Sequence, residues 1–363
     1  MDDRFLINMA ISLASRARGK TSPNPMVGAV LVKNGRIIAE DYHKKPGAPH
    51  AEALVIQQAG ERAKDSVLYV SLEPCCHTEK RTPPCTKAIL RAGIKRVVIA
   101  MKDPNPKVSG KGIRELEEAG IKVVSGILEE KARRLNETYI KYTTTKRPFV
   151  ILKTAMTLDG KIATPEGDSR WITGEKARKM VHRLRSSADA VMTAIGTVRA
   201  DDPELTARIK GGKNPLRIVI DPDLEIPMHS RVLRIPPETI IVTKAMEKDR
   251  DVPKIYKANN LLNSGAKLLF FKESLNLYWL MERLGEMGIT SLLIEGGSSL
   301  NAHALQDGIV DKVMFFIAPK ILGGKESYPA VGGRTFRRLE DAYALKDVRL
   351  KRVGDDFLLE GYL

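Results

Sequence analysis

The sequence contains no run of eighteen apolar residues, so no segment of it reads as a membrane-spanning helix. Its start, Met1-Asp2-Asp3-Arg4, lacks the basic and apolar segments of a secretory signal, and a cytoplasmic protein with no membrane partner is expected. Cysteine is scarce, with three in 363 residues, which excludes a disulfide scaffold and suits free thiolates in a reducing compartment. Aromatic residues make up 5%, few for a surface that stacks bases. Lysine and arginine exceed aspartate and glutamate by sixteen, yet no block of five basic residues occurs. Such an excess serves nucleic acid, anionic small molecules or a solvated surface alike. Its spread along the chain, interleaved with acids, fits phosphorylated small substrates at least as well as a polynucleotide. There is no G-x-G-x-x-G, so a Rossmann dinucleotide domain is not supported. Internal repeats and low-complexity segments are absent too.

What the chain does have is concentrated. All three cysteines fall within eleven positions, two of them directly after prolines, in Glu73-Pro74-Cys75-Cys76-His77 and Pro83-Pro84-Cys85, and His50-Ala51-Glu52 precedes them. Cysteines most often fill cores, and an isolated His-Ala-Glu carries little weight. Together, however, one imidazole, thiols and a carboxylate can build a zinc site. Hydrolytic zinc takes three nitrogen or sulfur ligands and leaves a fourth position for water, whose pKa falls to about 7. His50, Cys75 and Cys85 supply three ligands. Glu52, two residues on and in the first turn of a helix expected over 51–63, is placed to move protons rather than bind metal. H-x-E followed by P-C and a further cysteine is the pattern of zinc-dependent nucleobase deaminases. A closed structural site with Cys76 or His77 as fourth ligand is the competing metal reading, and Glu52 argues for the open one.

The length and a hydrophobic content of 43% predict two domains of ordinary size. Apolar residues from Phe5 to Ala17 recur at helical spacing. Strands are expected over 29–32 and 36–40 around the Asn34-Gly35 turn, then at 67–71 and 96–101, with helices over 85–92, 113–119 and 129–142. This alternation predicts an α/β sandwich. Cys85 would begin its helix, where unpaired N–H groups favour a thiolate. Asp103-Pro104-Asn105-Pro106 closes a strand, where ligand loops of open sheets lie. The polar run Thr143 to Arg147 before Pro148 marks a boundary, giving domains at 1–145 and 146–363. Beyond it, strands are expected near 149–155, 190–193, 216–220, 239–242, 267–270, 291–294 and 311–317, with helices over 174–186, 276–287 and from Ser298. Glu295-Gly296-Gly297-Ser298 runs from a strand into a helix. Glycines there let a phosphate approach the backbone N–H groups, although a Gly-Gly equally packs a helix on a sheet.

Asn24-Pro25-Met26-Val27-Gly28, His50-Ala51-Glu52, Glu73-Pro74-Cys75, Thr82-Pro83-Pro84-Cys85 and Asp103-Pro104-Asn105-Pro106 together resemble the bifunctional riboflavin-biosynthesis deaminase/reductases. Lys153 to Ala163, Ser169-Arg170-Trp171-Ile172-Thr173, Gly196 to Pro203 and Glu295-Gly296-Gly297 are similar to the reductase half of that family. The resemblance implies a cytidine-deaminase-like three-layer α/β sandwich followed by a dihydrofolate-reductase-like domain. It implies zinc-dependent removal of the 2-amino group of a diaminopyrimidinone ribosylamine 5'-phosphate, then NADPH-dependent reduction of the ribosyl chain to ribityl. Asn24, His43, His77 and Asp103 would surround the base and its phosphate. Ala155, Trp171, Thr197, Asp201 and the run Gly297, Ser298, Ser299, Leu300, Asn301, Ala302, His303 would contact NADPH. Ser169, Arg185, Leu205, Arg208 and Glu295 would hold the second substrate. Beside what the resemblance implies, Lys153 is the residue expected to polarise or protonate there. The family also implies a homodimer through the reductase half. This chain departs from the pattern twice. Nine residues separate Cys75 from Cys85, one more than the family usually has, so either Lys80 or Arg81 would reach the phosphate; and Pro222 stands where a hydroxyl is common.

Two other readings compete. One is a nucleic-acid deaminase with a C-terminal RNA-binding module, favoured by charge and by the H-x-E and P-C pair. The other is a structural zinc module with a partner-binding domain.

Overall fold

A computed structural model of the chain describes residues 2–77, 83–247, 250–333 and 338–363. The backbone divides into two compact units, Met1–Lys146 and Arg147–Leu363.

The first unit runs α1 (Asp3–Ser15), β1 (Gly28–Lys33), β2 (Arg36–Tyr42), α2 (Ala51–Ala59), β3 (Val67–Val70), α3 (Cys85–Arg91), β4 (Arg96–Ile99), α4 (Lys111–Glu118), β5 (Lys122–Ser125), α5 (Glu129–Leu135) and α6 (Glu137–Thr145). Its sheet has the order β2-β1-β3-β4-β5, with β1 antiparallel to both neighbours and the rest parallel. Successive residues Ala29, Val30 and Leu31 of β1 are all fully buried, so both faces of this central strand are covered. Helices α1 and α5 pack together, and α2, α3 and α4 form a second group, which gives the three-layer sandwich. The Asp2 side chain caps α1 by accepting from the Phe5 N–H at 2.7 Å, and Leu6, Ile7, Ala10 and Ala14 form its buried stripe. A Cβ on Gly28 would lie 2.2 Å from the Ala10 carbonyl oxygen, so the helix presses on β1 through a glycine. Asn34 and Gly35 both take positive φ, as a tight hairpin turn requires.

The structure adds to the sequence reading here: strand β5 was not expected. The expected helix over 129–142 is two helices that meet at Asn136, whose backbone (φ -105, ψ 21) leaves the helical region and whose side chain bonds the Met26 backbone. The threonine run that marks the expected boundary is the last turn of α6, with Thr144 and Thr145 hydroxyls donating back to Ile140 and Lys141 carbonyls.

The second unit runs β6 (Phe149–Thr157), β7 (Lys161–Ala163), α7 (Glu175–Ser187), β8 (Ala190–Ala194), α8 (Ile195–Asp201), β9 (Leu216–Ile220), α9 (Arg231–Arg234), β10 (Thr239–Lys244), α10 (Val252–Asn263), β11 (Lys267–Phe271), α11 (Leu277–Glu286), β12 (Ser291–Ile294), α12 (Ser298–Gln306), β13 (Lys312–Ala318), β14 (Tyr328–Pro329), β15 (Lys346–Val353) and β16 (Asp356–Tyr362). Nine strands form one sheet, β11-β10-β9-β8-β12-β6-β13-β16-β15. All pairings from β11 to β13 are parallel, and β16 and β15 add on antiparallel. The parallel strands read as continuous apolar runs because helices cover both faces. Parallel pairing puts Glu295, just past the C-terminal end of β12, beside Lys153 in the middle of β6.

Candidate active sites

In the first unit, local structure assembles the three predicted ligands. His50 is the residue before the first turn of α2, with extended backbone (φ -73, ψ 161). Cys85 is the first residue of α3, after Pro84. Cys75 lies in the loop that follows β3. Nδ1 of His50 stands 3.3 Å from the Cys85 sulfur and 3.6 Å from the Cys75 sulfur. Two ligands at tetrahedral zinc bond lengths stand about 3.6 Å apart for nitrogen and sulfur. The three donor atoms all lie within 4.8 Å of one another, and the set fits the metal. Glu52 is buried beside them, its Oε2 without a hydrogen-bond partner among the described residues. Burial pushes its carboxyl pKa up, against the pull of the His50 charge. A buried carboxylate oxygen left open against a metal-ligand set is what a proton shuttle needs and what a core does not tolerate.

A cavity of about 590 Å³ opens over this set, lined by Asn24, His43, His50, Glu52, Cys75, His77 and Asp103 among others. Asn24, His43, His77 and Asp103, expected around the base and its phosphate, therefore line one space. Its size is that of a small-molecule site. His43 Nδ1 lies 3.1 Å from the Pro49 carbonyl and its Nε2 3.1 Å from Asn24 Nδ2. A carbonyl only accepts, so Nδ1 carries the proton, Nε2 accepts from the Asn24 amide, and burial keeps the ring neutral by lowering its pKa. The Asp103 carboxyl is 5% exposed and burial raises its pKa to about 6. Lys80 and Arg81 lie outside the described residues.

Sequence reasoning missed Glu73, which holds this site together. Its buried carboxylate accepts from the N–H groups of Asp103 (3.1 Å), Gly110 (3.0 Å) and Ile113 (3.2 Å). It thus ties the cysteine loop to the Asp103 loop and to α4. A Cβ on Gly112 would lie 2.2 Å from the Pro74 carbonyl oxygen, so the same contact requires glycine on α4. An acidic residue two positions before the first cysteine was visible in the sequence, but nothing in the pattern pointed to its backbone partners.

In the second unit, Glu295 stands one residue beyond β12, whose Ile294 pairs with Leu152 of β6. Lys153 Nζ reaches Glu295 Oε2 at 3.0 Å, and Arg185 of α7 grips the same carboxylate with Nε at 2.5 Å and Nη2 at 3.0 Å. Burial alone would raise the Glu295 pKa, but the Arg185 and Lys153 charges outweigh it and hold the carboxyl well below the usual range. Arg185 also donates to the Thr206 carbonyl at 3.2 Å. Leu205 and Arg208 flank that residue with positive φ, at 53 and 48. The Leu205 side chain is core, so this residue offers ligands only its main chain, whereas the Arg208 guanidinium is half exposed.

The predicted cofactor residues divide. Gly297 precedes α12, and a Cβ there would meet Thr197 Oγ1 at 3.6 Å, which brings α8 and the α12 start together. Asp201 ends α8 and receives Arg170 through its backbone oxygen at 2.7 Å, drawing in the loop of Ser169 and Trp171. Trp171 is 63% exposed with the Arg178 guanidinium 4.4 Å from its ring centre, so it is not a core aromatic. Ala155, Ser298 and Ala302 are half-buried, and Ser299 and His303 are exposed. Leu300 and Asn301 instead face inward; the Asn301 amide donates to Thr154 Oγ1 at 3.2 Å and the Ala330 carbonyl at 2.8 Å. Pro222, suspected of costing a hydroxyl, offers its carbonyl to the Thr243 hydroxyl and the Lys244 N–H, joining the ends of β9 and β10.

Residues 1–101 match the cytidine and deoxycytidylate deaminase zinc-binding region, and residues 148–359 match the RibD C-terminal domain. The riboflavin biosynthesis protein RibD of Aquifex aeolicus is 44% identical over 98% of this chain and 97% of its own length. That of Escherichia coli K12 is 38% identical over 99% of both. A solved Thermotoga maritima diaminohydroxyphosphoribosylaminopyrimidine deaminase/5-amino-6-(5-phosphoribosylamino)uracil reductase superposes with a TM-score of 0.86 at 37% identity, covering 99% of this chain and 98% of the other. A zinc-binding deaminase region continuous with a pyrimidine reductase domain defines a two-activity enzyme, hydrolase and oxidoreductase in one chain. The chain belongs to the RibD family of riboflavin-biosynthesis deaminase/reductases. The match spans both halves, so neither a nucleic-acid deaminase with an RNA-binding module nor a structural zinc module is favoured. Among the described residues, no helix is long and apolar enough to cross a membrane.

Proposed function

We propose that the first unit deaminates 2,5-diamino-6-(5-phosphoribosylamino)pyrimidin-4(3H)-one and that the second reduces the ribosyl chain of the product with NADPH. The observation that carries the reading is the His50, Cys75 and Cys85 donor set with the open Glu52 oxygen beside it, under one cavity. Zinc held by those three residues supplies Lewis-acid polarisation and lowers the pKa of water to about 7. Glu52 takes one proton of the attacking water on Oε2 and delivers it to the ring nitrogen, then carries the proton of the added hydroxyl to the amine, whose bond to carbon breaks as the carbonyl forms and ammonia leaves. Asn24, His43, His77 and Asp103 orient the base and its ribosylamine.

In the second unit the chemistry of bound NADPH is hydride transfer to the opened ribosyl carbon. Ala155, Trp171, Thr197, Asp201 and the 297–303 segment hold the cofactor, the last through N–H groups at the start of α12. Lys153 Nζ polarises or protonates the ribosyl oxygen, steered by Glu295. Arg185, Arg208, Ser169 and the Leu205 main chain hold the phosphorylated substrate, giving the basic excess a use. The enzyme works in the cytoplasm as a homodimer through the reductase unit.

The test is ammonia release from the diaminopyrimidinone substrate by zinc-loaded protein. Release that stops on zinc removal and returns on reloading supports the reading; release indifferent to zinc defeats it.

A further inference from the structure

Two side chains one helical turn apart reach from the end of the first unit to separate walls of the deaminase cavity. Asn136, 1% exposed at the junction of α5 and α6, accepts the Met26 N–H at 2.8 Å and donates to the Met26 carbonyl at 3.0 Å. That fixes the segment carrying Asn24. Tyr139, three residues on and lining the cavity, donates its O–H to Asp103 Oδ1 at 2.9 Å. The Asn105 N–H donates to the same oxygen at 2.9 Å. Oδ1 thus has two donors, while Oδ2 receives none among the described residues. Asp103 is more than nine-tenths buried and lines the cavity. A carboxylate with one oxygen saturated and the other open toward a cavity is arranged to receive a donor from a ligand. An ionised carboxylate only accepts, so the ligand group it meets is a hydroxyl or an amine and not the phosphate.

We propose that Tyr139 is a positioning residue of the deaminase. It acts through Asp103, fixing the carboxylate so that Oδ2 accepts an O–H or N–H of the substrate. Both bracing residues lie beyond residue 101, where the zinc-binding region ends, so the general deaminase pattern does not include them. The role is in binding rather than in the proton steps, which belong to Glu52. This rests on the deaminase reading of the cavity.

The experiment is steady-state deamination by full-length protein, comparing wild type, Tyr139→Phe, Asp103→Ala and the double variant, with reductase turnover of each chain as a folding control. Tyr139→Phe should raise the deaminase KM about tenfold, the weight of one hydrogen bond to a charged group, and leave kcat within about twofold. In the Asp103→Ala background the same substitution should change KM less than about twofold. A KM unmoved by Tyr139→Phe, or effects that multiply independently in the double variant, would overturn the inference. So would a fall in reductase turnover and kcat together, which marks a structural role. Wild-type protein that releases no ammonia defeats the deaminase reading itself, and this inference with it.

Discussion

Lys153 on β6 meets Glu295, one residue past β12, at 3.0 Å, and Arg185 closes on the other side of the same carboxylate. Removing the charge at the centre of such a buried cluster leaves two cations uncompensated, at a cost of about 3–5 kcal/mol. Glu295→Gln should therefore lower thermal stability and reduce reductase kcat/KM by about a hundredfold or more. Deaminase turnover, which uses the other unit, should be little changed; a selective loss of deamination would contradict the assignment.

The same carboxylate gives the molecule a pH dependence. Its folded-state pKa lies below the ordinary 4.5, so the unfolded chain takes up a proton first as the medium is acidified. The stabilisation is complete above about pH 4.5 and drains away as pH falls through that value toward the lower folded pKa. Chemical unfolding of wild type and Glu295→Gln should show a stability gap that is constant from pH 7 to about 5 and narrows below it. A gap that widens in acid would have the opposite sign and refute the charge arrangement.

Glu52→Gln keeps the shape of the side chain and removes its basicity. Loss of a positioned general base costs about 10²- to 10⁴-fold, and that fall should appear in deamination alone. Zinc content by elemental analysis should match wild type, and reduction of the deaminated intermediate should proceed. A variant that deaminates normally ends the proton-shuttle role.

Glu73→Gln exchanges three accepted backbone N–H bonds for an amide that can accept on one atom only. With a donor group turned toward N–H groups in a buried site, a loss of about 2–4 kcal/mol is expected. Because the bonds tie the Cys75 loop to the Asp103 loop, zinc affinity should weaken as well. Competition with a metallochromic chelator reads this directly, and unaltered affinity would make Glu73 a purely structural brace.

The zinc set was legible because its chemistry restricts the residue types: few arrangements of His50, Glu52, Cys75 and Cys85 other than a metal site explain three cysteines so close together. The Asn34-Gly35 hairpin and the buried strands were legible from local turn chemistry and apolar runs. What local pattern cannot carry is a side chain whose partner is a distant backbone group. Asn136, at the junction of two helices, holds Met26, and Glu73 serves Gly110 and Ile113, each partner far along the chain. Helix α10 was missed because its apolar face is thin, Ala258 and Leu261 being its buried residues. The edge pair β15 and β16 was missed for a related reason: β15 is exposed at nearly every position and lacks the alternation that marks a half-buried strand. Helix periodicity turns the Leu300 and Asn301 side chains to the core, which leaves those two positions their main chain to offer a cofactor.

The central claim is that one chain performs a zinc-dependent deamination and then a reduction that needs the deaminated product. NADPH consumption with the diaminopyrimidinone ribosylamine phosphate as sole substrate, before and after zinc chelation, tests it most directly. The account predicts that chelation abolishes NADPH oxidation and that adding the deaminated intermediate restores it without zinc. Oxidation that persists in the chelated enzyme on the original substrate, or none with either substrate, would contradict it.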